Sequence, residues 1–408
     1  MSIRYIAGRI TESINPLRVP DAPASATATA LTSSTASVAF TAPASSGGSA
    51  VTNYFAVQNT GGTVFSSATS PISITGLTAN TSYTFQVWAL NTYGVGPIAL
   101  SNTITTFAAG TQKVIFGYGT TASTVVPTSV TNLVSNTGVV AADTTGVGTA
   151  RYALAAAGYG GDKGIFGYGA TSTSNVLTTT NLVSNTGVVA TDTAGAGTAR
   201  RFSSATTYGA DKAIFAYGLA GSSTYLSVSN LVSNTGNVAT NTTGVGTARF
   251  GSAGAGYGST GQAIFGFGVA SGSVYLSVSN LVSNTGVVST DTTNVSVTGR
   301  ERIAAAGYGT DKAIFGYGFN GSAVTAITNI VSNTGVVAAN TTGVGTARME
   351  LAAATYGSDK AIFGYGGTAA GGVYSLTNLV SNTGVVATDT AGVGQVRRTL
   401  AAAGFSFT

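Results

Sequence analysis

Positions 113 to 408 are filled by six near-copies of a segment of about fifty residues, and this periodicity restricts the fold more than any other feature of the chain. The copies open with KVIFGYG at Lys113, KGIFGYG at Lys163, KAIFAYG at Lys212, QAIFGFG at Gln262, and KAIFGYG at both Lys312 and Lys360, at successive spacings of 50, 49, 50, 50 and 48 residues. Each runs into a near-constant second half such as TNLVSNTGVVATDTAGAGTAR, ending at Arg200. A period of this length signals units that stack or close into a ring. With 57 glycines and only 7% charged residues, the chain has little helix-forming material, so an all-β fold is expected. No run of eighteen apolar residues supports a spanning helix.

Each copy divides into four strands: A (LAAAGYG, 154–160), B (KAIFGYG, 360–366), C (LTNLVSN, 376–382) and D (VVATDT, 385–390). Gly-x-Asp joins A to B and Asn-Thr-Gly joins C to D, residues that accept the positive φ of tight hairpins. The Ala-rich strand A suits the place where space tapers toward an axis. Strand B carries bulk on both faces, as in a sheet covered on two sides, which makes Phe116, Phe166, Phe215, Phe265, Phe315 and Phe363 core residues. The first copy starts at strand B, and the chain ends in a lone strand-A sequence, TLAAAGFSFT (399–408). That strand is expected to complete the first blade and close a six-bladed β-propeller over residues 109–408.

The unit resembles a kelch repeat, with an Arg, an apolar strand, a turn, an aromatic strand ending in glycines, and a variable loop. GYG stands in place of the kelch double glycine, and Val139–Val140 and their equivalents in place of the usual Trp. The resemblance implies a propeller scaffold for binding.

Ahead of the repeats, residues 21–108 alternate apolar and polar positions between Pro/Ser/Gly turns, the pattern of a β-sandwich. This segment resembles a fibronectin type III module. Phe40 takes the place of its strand-B Trp, Tyr54 that of its strand-C Tyr, Leu77 lies in the core and Tyr83 at the tyrosine corner. Trp88, next to Val87, faces the opposite side, as an exposed anchor or a covered strand residue. Residues 1–20 read as a docking arm, whose Ile3, Tyr5, Ile6, Ile10 and Ile14 cannot bury themselves alone. Arg4, Tyr5, Arg9, Ile10, Ile14 and Arg18 are its candidate contacts.

The chain contains no His or Cys and twelve acidic residues. Asp162, Asp211, Asp311 and Asp359 recur at the A–B turn, and Asp143, Asp192, Asp291 and Asp389 after strand D. Periodic placement spreads carboxylates around a circle and does not pair two for hydrolysis; a zinc site or a His-based triad has no ligands or base. The expectation is no enzyme, no cofactor and no metal, with the turn aspartates capping their own turns. The net charge of +5 is spread copy by copy, unlike the basic stripe of a nucleic-acid binder. No membrane insertion is expected, and the N-terminus carries no secretory pattern.

Positions that differ between copies are those a scaffold leaves available for recognition. The B–C loops differ most, and the strand direction puts them beside Arg151, Arg200, Arg249, Arg300, Arg348 and Arg397. One reading is a ligand face for anionic or hydroxyl-rich polymers, with Tyr225, Tyr275 and Tyr374 as stacking platforms and Asn320 in the fifth loop. The other is that each Arg bonds carbonyls of a neighbouring blade and each Tyr packs at the start of strand C.

The absent secretory signal, the charge-poor Gly/Ser/Thr/Asn surface and a resemblance to phage accessory proteins point to a bacteriophage virion protein, oligomeric within an assembly. It would dock to other virion proteins through residues 1–108 and present the propeller to host glycans. The alternatives are a capsid, neck or tail decoration protein, or a bacterial surface or intracellular kelch-type interaction scaffold.

Overall fold

The computed structural model describes residues 17–30, 35–106, 111–121 and 126–406. All regular structure among them is β-strand, and the chain divides into two compact units, residues 1–109 and 110–408.

In the first unit, Ala24–Ala30, Ala36–Thr41 and Ile72–Ile74 form one sheet, and Phe65–Ser67, Asn53–Gln58 and Phe85–Asn91 with two short edge strands form another. Phe85–Asn91 alternates strictly between buried and half-buried positions, sending Phe85, Val87 and Ala89 into the core. Phe40 and Tyr54 meet there with ring centroids 4.6 Å apart. Tyr83 sits at the expected corner, its phenol accepting the Thr78 N–H at 2.9 Å. Trp88 faces outward and is half-buried against Phe55, with centroids 5.8 Å apart.

Residues 18–20, assigned by sequence to the arm, belong to the sandwich. The Arg18 N–H donates to the Gly47 carbonyl at 2.9 Å, and the buried Asn91 amide donates to the carbonyls of Arg18 and Ser46. Arg18 itself ion-pairs with Asp21 at 2.6 Å on the surface. The other arm candidates, Arg4, Tyr5, Arg9, Ile10 and Ile14, lie outside the described residues.

In the second unit each copy builds one antiparallel sheet with strand B in the middle. Sheet 2 is Ala155–Tyr159, Lys163–Gly167 and Thr180–Val183. Sheets 3 to 6 have inner strands Ser204–Tyr208, Ala253–Tyr257, Ala304–Tyr308 and Ala352–Tyr356. Sheet 1 takes its inner strand from the chain terminus: Ala401–Phe405 pairs with Lys113–Gly117, with Lys113 opposite Phe405 and Gly117 opposite Ala401. Each inner strand adjoins the next in sequence order, and Ala401–Phe405 adjoins those of both sheet 6 and sheet 2.

The fourth strand is the main departure from expectation. Segment D is reduced to isolated pairs, such as Val183 with Val189 and Thr180 with Thr193, except for the two-residue strand Thr292–Thr293. A side chain takes the ladder's place: Asn181, buried on strand C, donates its amide to the Ala190 carbonyl at 3.0 Å, and Asn378 does the same to Ala387.

Strand B is buried on both faces in every sheet, and all six of its phenylalanines are fully buried. The glycine of IFG explains how the sheets come so close. A Cβ on Gly117 would lie 2.7 Å from the Phe166 ring, and one on Gly364 2.6 Å from Phe116. Five of the six Phe therefore fill the space of the missing side chain on the sheet before them, and Phe265 packs with Ala216, which stands in place of the glycine in the third copy. Each Phe also meets the following aromatic ring of that sheet edge-on, as in Tyr118–Phe166 at 5.1 Å, Tyr365–Phe116 at 5.2 Å and Phe267–Phe315 at 5.1 Å.

Candidate recognition face

The six repeated arginines do not line a surface. Arg151, Arg200, Arg249, Arg300, Arg348 and Arg397 are all 0% exposed. Each guanidinium lies over the aromatic ring that follows strand B of the preceding sheet, at 3.8 Å for Arg249 on Tyr217 and 4.8 Å for Arg300 on Phe267. Its hydrogen bonds go to its own sheet. Arg348 donates to the Tyr365 carbonyl at 2.7 Å, the Thr346 carbonyl at 3.0 Å and Asn378 Oδ1 at 2.6 Å. Arg397 likewise donates to Asn132 and, at 2.6 Å, to the Val130 carbonyl. These arginines are therefore withdrawn from the expected ligand face, because every guanidinium is buried and bonded internally through two or three of its nitrogens, with Arg151 Nη2 and the Nε of Arg200, Arg249, Arg300 and Arg397 left buried without a partner. Burial pushes the Arg300 pKa down to about 10.

In every copy but that of Arg151, whose guanidinium bonds the Tyr168 and Thr149 carbonyls instead, an asparagine receives the guanidinium and passes the network on. Asn378 donates to Asp389 at 2.9 Å, and Asp389 accepts the Thr346 N–H at 2.9 Å and its hydroxyl at 2.6 Å. Asp192 and Asp291 do the same for Thr149 and Thr247, and Asp143 accepts the Gln395 N–H, 252 residues away, at 2.9 Å. In the third and fifth copies Asn241 and Asn340 take the aspartate's place. Burial alone would raise the Asp389 pKa, but the Thr346 hydroxyl and N–H, the Asn378 amide and Arg348 outweigh it and hold it below the ordinary value. These aspartates bracket a chain segment before strand A and do not cap their own turns. The turn aspartates pair with the following lysines, as Asp311 does with Lys312 at 2.7 Å.

Beyond each arginine the copies diverge. The first following residue, Tyr152, Arg201, Phe250, Glu301, Met349 or Arg398, bridges to the extension of strand B in its own sheet. The second, Ala153, Phe202, Gly251, Arg302, Glu350 or Thr399, has φ between +50° and +65°. Backbone N–H groups link these second residues in succession: Phe202 to the Ala153 carbonyl, Gly251 to Phe202, Arg302 to Gly251, Glu350 to Arg302, Thr399 to Glu350 and Ala153 to Thr399. The backbone repeats while the side chains differ. Arg302 meets Glu350 at 2.9 Å and lies 5.3 Å from the Phe202 ring centroid. Burial pushes the Glu301 carboxyl up, Arg302 opposing and Glu350 reinforcing the shift.

Two of the expected face residues adjoin this divergent ring, Tyr225 through Phe250 and Tyr275 through Phe319, which bridges to Glu301. Tyr225 packs on Phe250 at 5.5 Å and Tyr275 on Phe319 at 5.8 Å, both half-buried. Asn320 shapes its loop, its Oδ1 accepting the N–H groups of Ser322 and Ala323. Tyr374 is half-buried at the start of strand C. The divergent pair after each arginine was missed by sequence reasoning, although a column-by-column comparison of the copies carries the signal.

Residues 21–107 match the fibronectin type III domain family, so this segment is a fibronectin type III domain. Among solved structures, the crystal structure of domains A168–A170 from titin is similar at 27% identity and a TM-score of 0.21, over 22% of this chain and 32% of that one. The match thus spans about a third of that titin chain. No curated protein matches the chain.

Proposed function

We propose that the six sheets close into a kelch-like, six-bladed β-propeller and that the chain is a non-enzymatic bacteriophage virion protein, docked through residues 1–108 and presenting the propeller to host-surface glycans. Closure is supported by the pairing of Ala401–Phe405 with Lys113–Gly117, the Phe116–Tyr365 contact and the Asp143–Gln395 hydrogen bond, each of which joins the two ends of the unit. The observation that carries the binding reading is the division of labour within each copy. The repeated arginines are spent on the interior, whereas the residues that differ gather at one end, with Tyr225, Tyr275, Phe319 and Arg302 among them.

The test is retention of the full chain on immobilised host surface polysaccharide, with Tyr275→Ala and Arg302→Ala weakening it by roughly 10-fold or more, in line with about 1–3 kcal/mol per stacked or charged contact. Equal retention of wild type and both variants would refute the glycan face. A second reading, a decoration protein that binds virion partners alone, is favoured by Val139, Val188, Val287, Val336 and Val385, each between 64% and 67% exposed at equivalent C–D turns. Electron cryomicroscopy of the particle separates the two: the glycan reading expects the divergent end to face solvent, and the decoration reading expects the C–D turns that carry these valines to be buried against a neighbouring virion protein.

A further inference from the structure

The inner strands frame a cavity of about 310 Å³, within the range of small-molecule sites. Its wall is largely methyl groups and backbone, from residues such as Ala157, Ala205, Ala306 and Gly404. Toward the divergent end it is stopped by the linked backbones that run from Ala153 to Thr399, above Leu154, Ile303 and Leu400, where a separate void of about 70 Å³ remains. The other end runs out among the A–B turns, at Gln112, Gln262 and Lys312.

At this lip the repeat pattern breaks. Copies two, three, five and six carry an Asp–Lys ion pair. The fourth carries Gly261–Gln262, and the first has Gln112 at the aspartate position. Gln262 Oε1 is buried and accepts no hydrogen bond; it lies folded against Gly258, where an added Cβ would be 2.4 Å away. A buried acceptor without a donor is costly, so turning this amide toward a ligand forfeits no bond and gains one. Deeper in the cavity, the hydroxyls of Thr207 and Thr355 donate to the carbonyls of Gly158 and Gly307, which leaves their oxygens as acceptors. Lys312 at the lip is neutralised by Asp311. The cavity therefore suits a neutral guest rich in N–H and O–H donors that also has a small apolar group for the alanine wall.

We propose that this axial well, on the face opposite the divergent end, binds a terminal N-acetylated hexose. Its acetamido N–H donates to Gln262 Oε1, its methyl group lies on the alanine wall, and its hydroxyls donate to Thr207 and Thr355. The proposal rests on the closed-ring reading above and is independent of the glycan face at the divergent end.

The test is calorimetric titration of the full chain with N-acetylglucosamine and with glucose, repeated for Gln262→Lys, Gln262→Ala and Tyr275→Ala, with the melting temperature of each protein measured alongside. Expected is saturable binding of N-acetylglucosamine, glucose and both Gln262 variants weaker by roughly 10-fold or more, no effect of Tyr275→Ala and unchanged melting. Absence of binding by the natively melting wild type overturns the proposal, as does binding that Gln262→Lys and Gln262→Ala leave intact. Loss in Tyr275→Ala alone also overturns it, and would move the sugar to the divergent end, where the proposed function survives.

Discussion

The two units solve the burial problem of a β-sheet differently. In the fibronectin type III domain a strand such as Phe85–Asn91 alternates, one face to the core and one toward solvent, and a charge such as Arg18 stays on the surface. In the repeats a strand such as Lys312–Gly316 is buried at its last four positions, and a charge as large as Arg348 is buried with it. When both faces of a sheet are covered, alternation no longer decides what is inside. A repeated polar residue must then bring its partners with it, and Thr346, Asn378 and Asp389 are what Arg348 brings.

The largest effect should come from deleting residues 399–408. The repeats would lose the inner strand of sheet 1, and calorimetry should show the transition of residues 110–408 lost or lowered by more than about 10 °C, with the transition of the sandwich retained. An unchanged repeat transition would break the comparison, since these sheets would then stand alone as the sandwich does.

Next in size are the buried arginines. Arg348→Ala leaves Asn378, Tyr365 and Thr346 without their donor, and chemical denaturation should register a loss of about 3–5 kcal/mol, whereas Arg18→Ala should cost less than about 1 kcal/mol. Arg348→Lys sharpens the point: it keeps the charge but not the fork, and should remain clearly destabilised. Phe315→Ala should lose about 3–5 kcal/mol, because the ring fills the space over Gly266 as well as its own sheet.

The smallest effect is a pH dependence. The folded pKa of Asp389 lies below its ordinary value, so its carboxylate adds stability above that value, and the gain is lost as pH falls through the folded pKa. Asp389→Asn copies Asn241 and Asn340. It should cost about 1 kcal/mol at neutral pH, and the difference from wild type should vanish in strong acid. A constant difference across pH would show that the carboxylate is not what holds Thr346.

Much of this was legible in the sequence. The period placed strands A, B and C, strand B's bulk marked Phe116 and its equivalents as core, and the missing strand in the first copy pointed to the pairing of residues 399–408. Two features of the frame were not legible, for one reason: spacing shows that a residue recurs, not which way its side chain turns. The arginines recur once per copy whether they face solvent or lie on the Tyr ring of the preceding sheet, and only the geometry distinguishes the two. Strand D looked like a strand by composition, but Asn181 and its equivalents take over part of its ladder. At the candidate face, Tyr225, Tyr275 and Asn320 were named from loop variability. Arg302, Glu350 and Phe202 were not, because they follow an invariant arginine and read as part of the frame.

The most direct test of the account is amide hydrogen exchange at the six linked residues, Ala153, Phe202, Gly251, Arg302, Glu350 and Thr399. Ala153 and Thr399 join the chain's last copy to its first sheets, and the account predicts that they are protected to the same degree as Phe202, Gly251, Arg302 and Glu350. Fast exchange at Ala153 and Thr399, with the other four protected, would contradict it by showing an open seam.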